Sequence, residues 1–239
     1  MTGTPRLTQV NMTSLEFINK DLTVSNTGLP NLDFLSKVKS SSARVAVLDN
    51  PSMQKIRLYC SNLEDLQIHN NNPLATINLP ALRYVNRAFS ISEASYIYSP
   101  VDFVGGLFNL SNNFLSSMKG LELRTAGGFL IANNSLLQDF NAAITTINSY
   151  VPDIENSYES MVISGNPVLR EMSASSLRSV TGGVLMENNP LLRSLNIASL
   201  KYATKVNITG ILERQAVFNP RSIYVANISL AHQAMALKT

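Results

Sequence analysis

Pairs of carboxylates are the residues of this 239-residue chain that could perform chemistry. A glycoside hydrolase needs two acidic side chains about 5 to 9.5 Å apart. The chain has 16 Asp and Glu residues, and Glu64-Asp65 is the one adjacent pair. Asp49, Glu93 and Glu187 recur at similar places of a repeated phrase, but we expect no two acids at the same register of neighbouring repeats. The sequence therefore predicts no catalytic pair and no enzyme.

Other reactive side chains are few. His69 and His232 are far apart, and His69 precedes an Asn-rich turn, so neither is predicted to act as a base. Cys60 is the single cysteine, which excludes an internal disulfide and a cysteine-based zinc site. We expect Cys60 in the core, and we expect no metal and no cofactor.

Glycine pairs precede strands rather than helices, so they predict tight corners and not phosphate cradles. These pairs are Gly105-Gly106, Gly127-Gly128 and Gly182-Gly183.

Composition favours a packed, weakly charged domain. Hydrophobic residues make up 45% of the chain and charged residues 15%, which supports a sizeable core and argues against disorder. The 19 Lys and Arg residues are scattered, and the net charge is +3. We therefore expect a solvated surface and no nucleic-acid partner.

Asparagine is abundant, with 26 residues, and a repeated phrase accounts for many of them. The phrase reads apolar, any, apolar, any, any, Asn, and it occurs at residues 129–134, 161–166 and 184–189. Its first half predicts a strand with one buried face. Its second half predicts a turn, because Asn tolerates left-handed backbone angles and its amide can bond nearby main chain.

The phrase recurs along the chain at a nearly constant period. Intervals from Thr27 through the successive turn asparagines are 23, 21, 42, 21, 32 and 23 residues. The interval of 42 predicts a hidden turn at residues 89–94, where Asn is replaced. The interval of 32 predicts an insertion at about residues 141–160, with Pro152 in its excursion.

These intervals are typical of a solenoid. A second apolar phrase follows each turn, and the return segments carry Pro, Ser and β-branched residues rather than helix formers. We therefore predict an all-β fold, a right-handed parallel β-helix resembling a leucine-rich-repeat solenoid. It forms one domain over residues 1–239, with regular repeats at about 22–210 and a C-terminal cap at about 211–239. Residues 231–237 are rich in helix formers and predict a capping helix.

Turn asparagines at one register stack in a solenoid, so we predict that each side-chain amide bonds its own turn and the next coil. The alternative is an exposed row of asparagines that binds sugar. The predicted ladder consists of Asn50, Asn71, Asn113, Asn134, Asn166 and Asn189.

The Gly-Gly, strand, Asn-Asn phrases at residues 125–136 and 179–191 resemble repeats of the fungal GPI-anchored cell-wall organisation and sporulation glycoproteins. Those proteins in turn resemble the L domains of insulin- and EGF-receptor ectodomains. The resemblance implies a non-enzymatic extracellular protein of the cell surface or cell wall, with wall polysaccharide or a cell-surface protein as partner. The alternatives are a receptor-like ectodomain that binds a protein or glycan, and a polysaccharide-active β-helix enzyme.

The family carries a signal peptide, flanking cysteines and a GPI signal, none of which this sequence contains. We therefore expect an excised repeat region or a divergent relative, with membrane contact only through a lipid anchor absent from this chain. N-glycosylation sequons occur in about the number that composition alone produces, so they do not by themselves indicate secretion. They lie at Asn11, Asn109, Asn133, Asn207 and Asn227.

Overall fold

The structure is a computed structural model that describes residues 1–118, 122–152, 158–210, 215–217 and 227–232. It is nearly all β, with 44% strand and 2% helix, and its parallel sheets form a β-solenoid of about nine turns. The predicted fold class is therefore confirmed. The described part contains no helix that is long and apolar enough to cross a membrane.

The described strands are short, and one 3₁₀ helix at Asp33–Leu35 interrupts them. In chain order the strands are β1 (Thr2–Thr4), β2 (Phe17–Ile18), β3 (Leu22–Thr27), β4 (Ser40–Ser41), β5 (Arg44–Leu48), β6 (Lys55–Arg57), β7 (Asn62–Leu63), β8 (Asp65–His69), β9 (Thr76–Asn78), β10 (Tyr84–Val85), β11 (Phe89–Ile91), β12 (Tyr96–Tyr98), β13 (Phe103–Ser111), β14 (Thr125–Ala132), β15 (Asp139–Asn141), β16 (Thr146–Ile147), β17 (Glu159–Ser164), β18 (Glu171–Ser173), β19 (Ser179–Val180), β20 (Gly183–Glu187), β21 (Ser194–Asn196), β22 (Lys205–Gly210), β23 (Gln215–Val217) and β24 (Asn227–His232).

Each coil contributes strands to several parallel faces. The longest face has the order β1-β3-β5-β8-β11-β13-β14-β17-β20-β22-β24, and we call it the main sheet. A second face comprises β6, β9 and β12, and further along the solenoid β15, β18, β21 and β23. Short strands β7, β10, β16 and β19 pair beside the first residues of β13 and β14. Because every coil repeats these pairings, a residue at one register lies next to its equivalents in neighbouring coils.

Alternate side chains of the main sheet point into the solenoid. Phe89, Phe108 and Phe129 stack in consecutive coils, with ring centroids 5.1 and 5.4 Å apart. Burying such side chains contributes about 1.5–3 kcal/mol each, so this column stabilises the middle of the solenoid. The residues predicted to point inward are all buried, which confirms the period-two interpretation. They are Val45, Val47, Ile68, Leu110, Phe129, Ile131, Ile163, Val184 and Met186.

The predicted place of the glycine pairs, a tight corner before a strand, is wrong for two of them: Gly105-Gly106 lies inside β13 and Gly127-Gly128 inside β14. A Cβ at Gly127 would lie 2.6 Å from the carbonyl oxygens of both Gly105 and Gly106 in the preceding coil. The strand register also shifts between Val104 and Leu107, beside the earlier pair. Only glycine lets the backbones of successive coils approach this closely.

The irregular segments follow the predictions in part. The hidden turn exists: β11 occupies 89–91 and Glu93 has a φ of 61°. The 32-residue coil separates Asn134 from Asn166, and residues 153–157 of its predicted insertion lie outside the described residues. The predicted capping helix is wrong at Ala231 and His232, because both continue β24 and pair with β22. Residues 211–214, 218–226 and 233–239 of the predicted cap also lie outside the described residues.

Candidate functional site

The six predicted ladder asparagines are all buried inside the solenoid. Their side chains are between 0 and 6% exposed, so the alternative of a solvent-facing sugar-binding row is wrong. Asn166 illustrates the bonding: its Nδ2 donates to Ser164 O in its own coil at 3.0 Å and to Ile131 O in the preceding coil at 3.2 Å. Its Oδ1 accepts from the backbone N of Asn134 at 3.0 Å. The amide therefore ties two coils together.

Left-handed backbone belongs to the residue before each ladder position, not to the ladder residue itself. The sequence interpretation assigned both roles to one Asn, and this is corrected. Gly165 serves this purpose before Asn166, with a φ of 64°. Two roles are therefore divided between two neighbours: one reverses the chain and the next satisfies the main chain. The other left-handed residues that precede ladder positions are Asn26, Asp49, Asn70, Glu93, Asn112, Asn133 and Asn188.

The ladder has a substitute at its start and a gap in its middle. Thr27 stands at the first position, and its N–H and hydroxyl both donate to Asn50 Oδ1, at 3.0 and 2.7 Å. Ala94 stands at the fourth position, where its N–H donates to Asn113 Oδ1 at 2.9 Å. Ala94 offers no side-chain acceptor to the backbone N–H of Asn71 in the coil before it. The ladder is therefore broken once between Asn71 and Asn113.

The sequons occupy different environments. Asn11 is exposed near the N-terminus, and Asn133 is exposed at a turn with a φ of 55°. Asn109 lies half-buried within β13, where its Nδ2 donates to Ser90 Oγ at 3.1 Å. Asn207 is half-buried within β22, and Asn227 lies in β24. Among the four sequons whose burial the structure describes, Asn11 and Asn133 are the exposed ones.

His69 and Cys60 have structural surroundings. The Nδ1 of His69 lies 2.9 Å from Ser92 Oγ, and burial lowers the pKa of the imidazole. Cys60 is buried, its thiol lies 3.7 Å from Val38 O, and burial raises its pKa to about 11. Since a reactive cysteine needs a lowered pKa, Cys60 has the properties of a core residue.

Two acids do share a register in adjacent coils, so the expectation that no two acids lie at the same register of neighbouring repeats is wrong. Asp139 of β15 pairs with Glu171 of β18 on the second face. Each lies five residues after its ladder residue, Asn134 or Asn166. Asp139 is half-buried and Glu171 is exposed, on strands of an outward face. Adjacent parallel strands are about 4.8 Å apart, close to the lower end of the separation between two catalytic carboxyl groups.

Two further acids are buried. Burial raises the pKa of the Glu159 carboxyl, Lys205 lowers it, and Glu187 raises it further. The Lys205 Nζ lies 3.9 Å from Glu159 Oε1, while Oε2 has no hydrogen-bond partner. A side chain at Gly183 would collide with this carboxylate, so glycine there makes room for it.

Asp65 is the second buried acid, and it lines a depression of about 310 Å³ on the main sheet. The small side chain of Ala46 lies between those of its register partners on β3 and β8, which leaves the space. Burial raises the pKa of Asp65, and Arg87 and then Arg44 lower it. Asp21 completes an alternation of acids and arginines along this end of the sheet. The depression is small, open and internally balanced in charge.

The second face carries the clearest set of exposed aromatic and polar side chains. These side chains lie on its first three strands, β6, β9 and β12, whose central residues Ile56, Ile77 and Ile97 are buried. Tyr96 and Tyr98 are 53% and 36% exposed. We call this surface the tyrosine face; its outward residues are Lys55, Arg57, Thr76, Asn78, Tyr96 and Tyr98.

Sequence reasoning did not find this surface. No motif marks it, because Arg57, Asn78 and Tyr98 are 20 or 21 residues apart and meet only through strand pairing. Lys55 and Thr76 each lie five residues after a ladder asparagine, Asn50 or Asn71. The repeat period could therefore have predicted that these two residues of the tyrosine face are neighbours.

Comparison of the chain with protein-family models, with curated proteins and with solved structures gives no match. Within the described residues, no group of three or more His, Cys, Asp or Glu side chains could hold a metal ion.

Proposed function

We propose that this chain is a non-enzymatic recognition module of the cell surface that binds cell-wall polysaccharide. The observation that carries the proposal is the tyrosine face: exposed Tyr96 and Tyr98 beside hydrogen-bonding and cationic side chains on a regular sheet. Tyrosine offers an apolar ring and a polar tip, which suits a ligand that is itself both apolar and hydroxylated. The parallel strands hold these side chains at fixed spacings, so the surface is preorganised for binding.

The resemblance of residues 125–136 and 179–191 to fungal GPI-anchored cell-wall glycoproteins supports an extracellular location and a role in wall organisation. It also supports a glycosylated, lipid-anchored parent protein with L-domain-like repeats. The solenoid fold is compatible with that resemblance, since receptor L domains are short β-helices.

Enzymatic activity has weaker support. Catalytic acids work in sites that exclude water and set their pKa values apart, whereas Asp139 and Glu171 stand on an outward face. Neither lines the depression around Asp65. The buried acids Glu159 and Asp65 belong to different strands, β17 and β8, separated by several coils.

A protein ligand is the second candidate function. Tyr and Arg are enriched at protein interfaces and dominate their energetic centres, and the tyrosine face contains both. The three strands present no outward aliphatic side chain, because their isoleucines all point inward. An interface core is usually more apolar than this, which favours the glycan.

A combined binding and turnover assay tests the proposal. The purified chain is sedimented with unextracted fungal cell wall, and the supernatant is analysed for released sugars by mass spectrometry. We expect binding without product. Absence of binding would refute the recognition function. Product that disappears in the double variant D139N/E171Q would establish a hydrolase at the paired acids instead.

A further inference from the structure

The tyrosine face has the same order of chemistry in two parallel rows. One row runs Lys55, Thr76, Tyr96 across β6, β9 and β12. The other runs Arg57, Asn78, Tyr98 across the same strands. Each row therefore proceeds from a cation through a small hydrogen-bonding side chain to an aromatic ring. Since adjacent strands are about 4.8 Å apart, each row is about 10 Å long.

The aromatic end presents two rings on one side of one strand. Tyr96 and Tyr98 are two residues apart on β12, which places their Cα atoms about 6.6 Å from each other. The buried Ile97 between them holds the strand against the core. Two rings at this spacing can receive the C–H faces of neighbouring sugar units in an extended chain.

The opposite end is cationic. Lys55 is exposed, and the Arg57 guanidinium carbon lies 5.1 Å from the ring centroid of Tyr59. Stacking of this kind holds a guanidinium in place without using up its hydrogen bonds. The residues of β6, β9 and β12 include no acid. Within the described part of the chain, neither cation forms an ion pair, because the pairs found there involve Arg124 and Lys205.

The middle of the second row contains hydrogen-bonding capacity that the protein does not use. Arg57 Nε and Asn78 Oδ1 are at paired positions of β6 and β9, and both are buried atoms without a hydrogen-bond partner. Polar atoms left in this condition cost stability, and a ligand that satisfies them gains affinity. If both side chains rotate outward, a ligand hydroxyl can donate to Asn78 Oδ1 and an anionic oxygen can accept from Arg57 Nε.

We propose that the tyrosine face binds an anionic glycan, with sugar rings on Tyr96 and Tyr98 and a carboxylate or phosphate held by Lys55 and Arg57. The inference rests on the proposed function and narrows its ligand from wall polysaccharide in general to acidic polysaccharide. Charge complementarity is the basis: the two cations have no protein counterion within the described residues, and a guanidinium matches the planar, two-oxygen geometry of a carboxylate.

Oligosaccharide titration tests the ligand class. Oligogalacturonate supplies carboxylates, its fully methyl-esterified form supplies the same chain without charge, and phosphorylated mannan oligosaccharide supplies phosphate. By calorimetry we expect the acidic form to bind about tenfold more tightly than the ester, with affinity that falls as salt is raised. Tighter binding of the mannan would identify phosphate as the natural anion. Equal affinity for acid and ester would overturn the proposal.

Variants locate the site. Y96A/Y98A should bind the preferred acid about tenfold more weakly, whereas Y84A should not, because Tyr84 is equally exposed but lies on β10 outside this face. K55Q/R57Q should bind acid and ester alike. The control K201Q/R178Q removes one exposed Lys and one exposed Arg elsewhere and should keep the preference. Circular dichroism checks that each variant is folded.

The outcomes separate this inference from the proposed function. Y96A/Y98A that still sediments with wall and still prefers the acid would refute the tyrosine face while leaving wall recognition intact. We expect K55Q/R57Q to lose its preference for the acidic oligosaccharide and still to bind wall. Failure of the unmodified chain to bind wall would refute both.

Discussion

The Oδ1 atom of Asn166 accepts two hydrogen bonds from Asn134, one from its backbone N at 3.0 Å and one from its Nδ2 at 3.1 Å. Asn166 thereby joins two coils across the 32-residue interval, the longest between ladder residues that bond each other. Asn189 repeats the same pair of bonds toward Asn166, both at 3.1 Å. Asn134 and Asn166 are thus each a donor to one neighbouring ladder residue and an acceptor for the other.

Replacing Asn166 by Ala should destabilise the fold strongly. The change removes the partner of the Ile131 carbonyl and of the Asn134 N–H in a buried site, whereas the Ser164 carbonyl still accepts from the Asn133 N–H at 3.0 Å. An unsatisfied buried group costs about 1–3 kcal/mol, so we expect a total loss of about 2–5 kcal/mol after relaxation. Denaturant unfolding measures it.

The matched control for that variant is Asn141→Ala. Asn141 is an exposed strand asparagine on β15, and it should lose less than about 0.5 kcal/mol. Equal losses for Asn166→Ala and Asn141→Ala would contradict the ladder's role in stability.

The gap at Ala94 offers a gain-of-stability test. Ala94 occupies the ladder register between Asn71 and Asn113 and is buried. An Asn there could accept from the backbone N–H of Asn71 and donate to the carbonyl of its own turn. We expect Ala94→Asn to stabilise by about 1 kcal/mol, read as a higher denaturant midpoint.

A buried alanine outside the ladder provides the comparison for Ala94→Asn. Ala126 is fully buried in β14, and Asn at this position would carry its amide into the core without partners. Ala126→Asn should therefore destabilise the protein. If both substitutions destabilise to the same degree, the register offers no place for a side-chain amide.

The period of the asparagines was sufficient to predict the fold, the inward residues and even the hidden turn at 89–94. This succeeded because hydrogen bonding at one register forces the same residue type into the same place of every coil. The period did not predict that the left-handed backbone and the side-chain hydrogen bonds belong to two adjacent residues. Asn133-Asn134 and Asn188-Asn189 place an Asn at both positions, so the sequence does not show which one is left-handed.

Surface sites were harder to predict because their spacing is not constant. Tyr96 follows Ala94 by two residues, whereas its strand partner Thr76 follows Asn71 by five. A shorter turn in that coil hides the alignment that forms the tyrosine face. The Asp139 and Glu171 pair was accessible by counting from the ladder, but the 32-residue coil between them obscures the repeat.

Glycan occupancy should differ among the sequons when the chain is expressed through a eukaryotic secretory pathway. Asn11 and Asn133 are exposed and should carry glycan. Asn109 should remain unmodified in folded protein, because its Nδ2 bonds Ser90 Oγ inside a central strand. Peptide mass spectrometry after enzymatic glycan release gives the occupancy at each site. Higher occupancy at Asn109 than at Asn133 in folded material would contradict this placement.

Ionisation of the Glu159 carboxyl should lower the stability of the fold as the pH rises. Its carboxyl pKa is raised by burial, and Lys205 only partly offsets that effect. A carboxyl whose pKa is higher in the folded than in the unfolded state binds its proton more tightly when folded. Its contribution is therefore complete below the ordinary glutamate pKa of 4.5 and is lost as the pH rises through the folded-state pKa.

Glu159→Gln keeps the shape of the side chain and removes its titration. As the pH is raised from 4 to 8, the melting temperature of the parent protein should fall relative to that of this variant. At about neutral pH the variant should be at least as stable as the parent. The difference between the two proteins isolates Glu159, because the lowered pKa of His69 and the raised pKa of Asp65 affect both equally. A parent and Glu159→Gln pair whose difference stays constant with pH would show that this carboxyl ionises alike in the folded and unfolded chain.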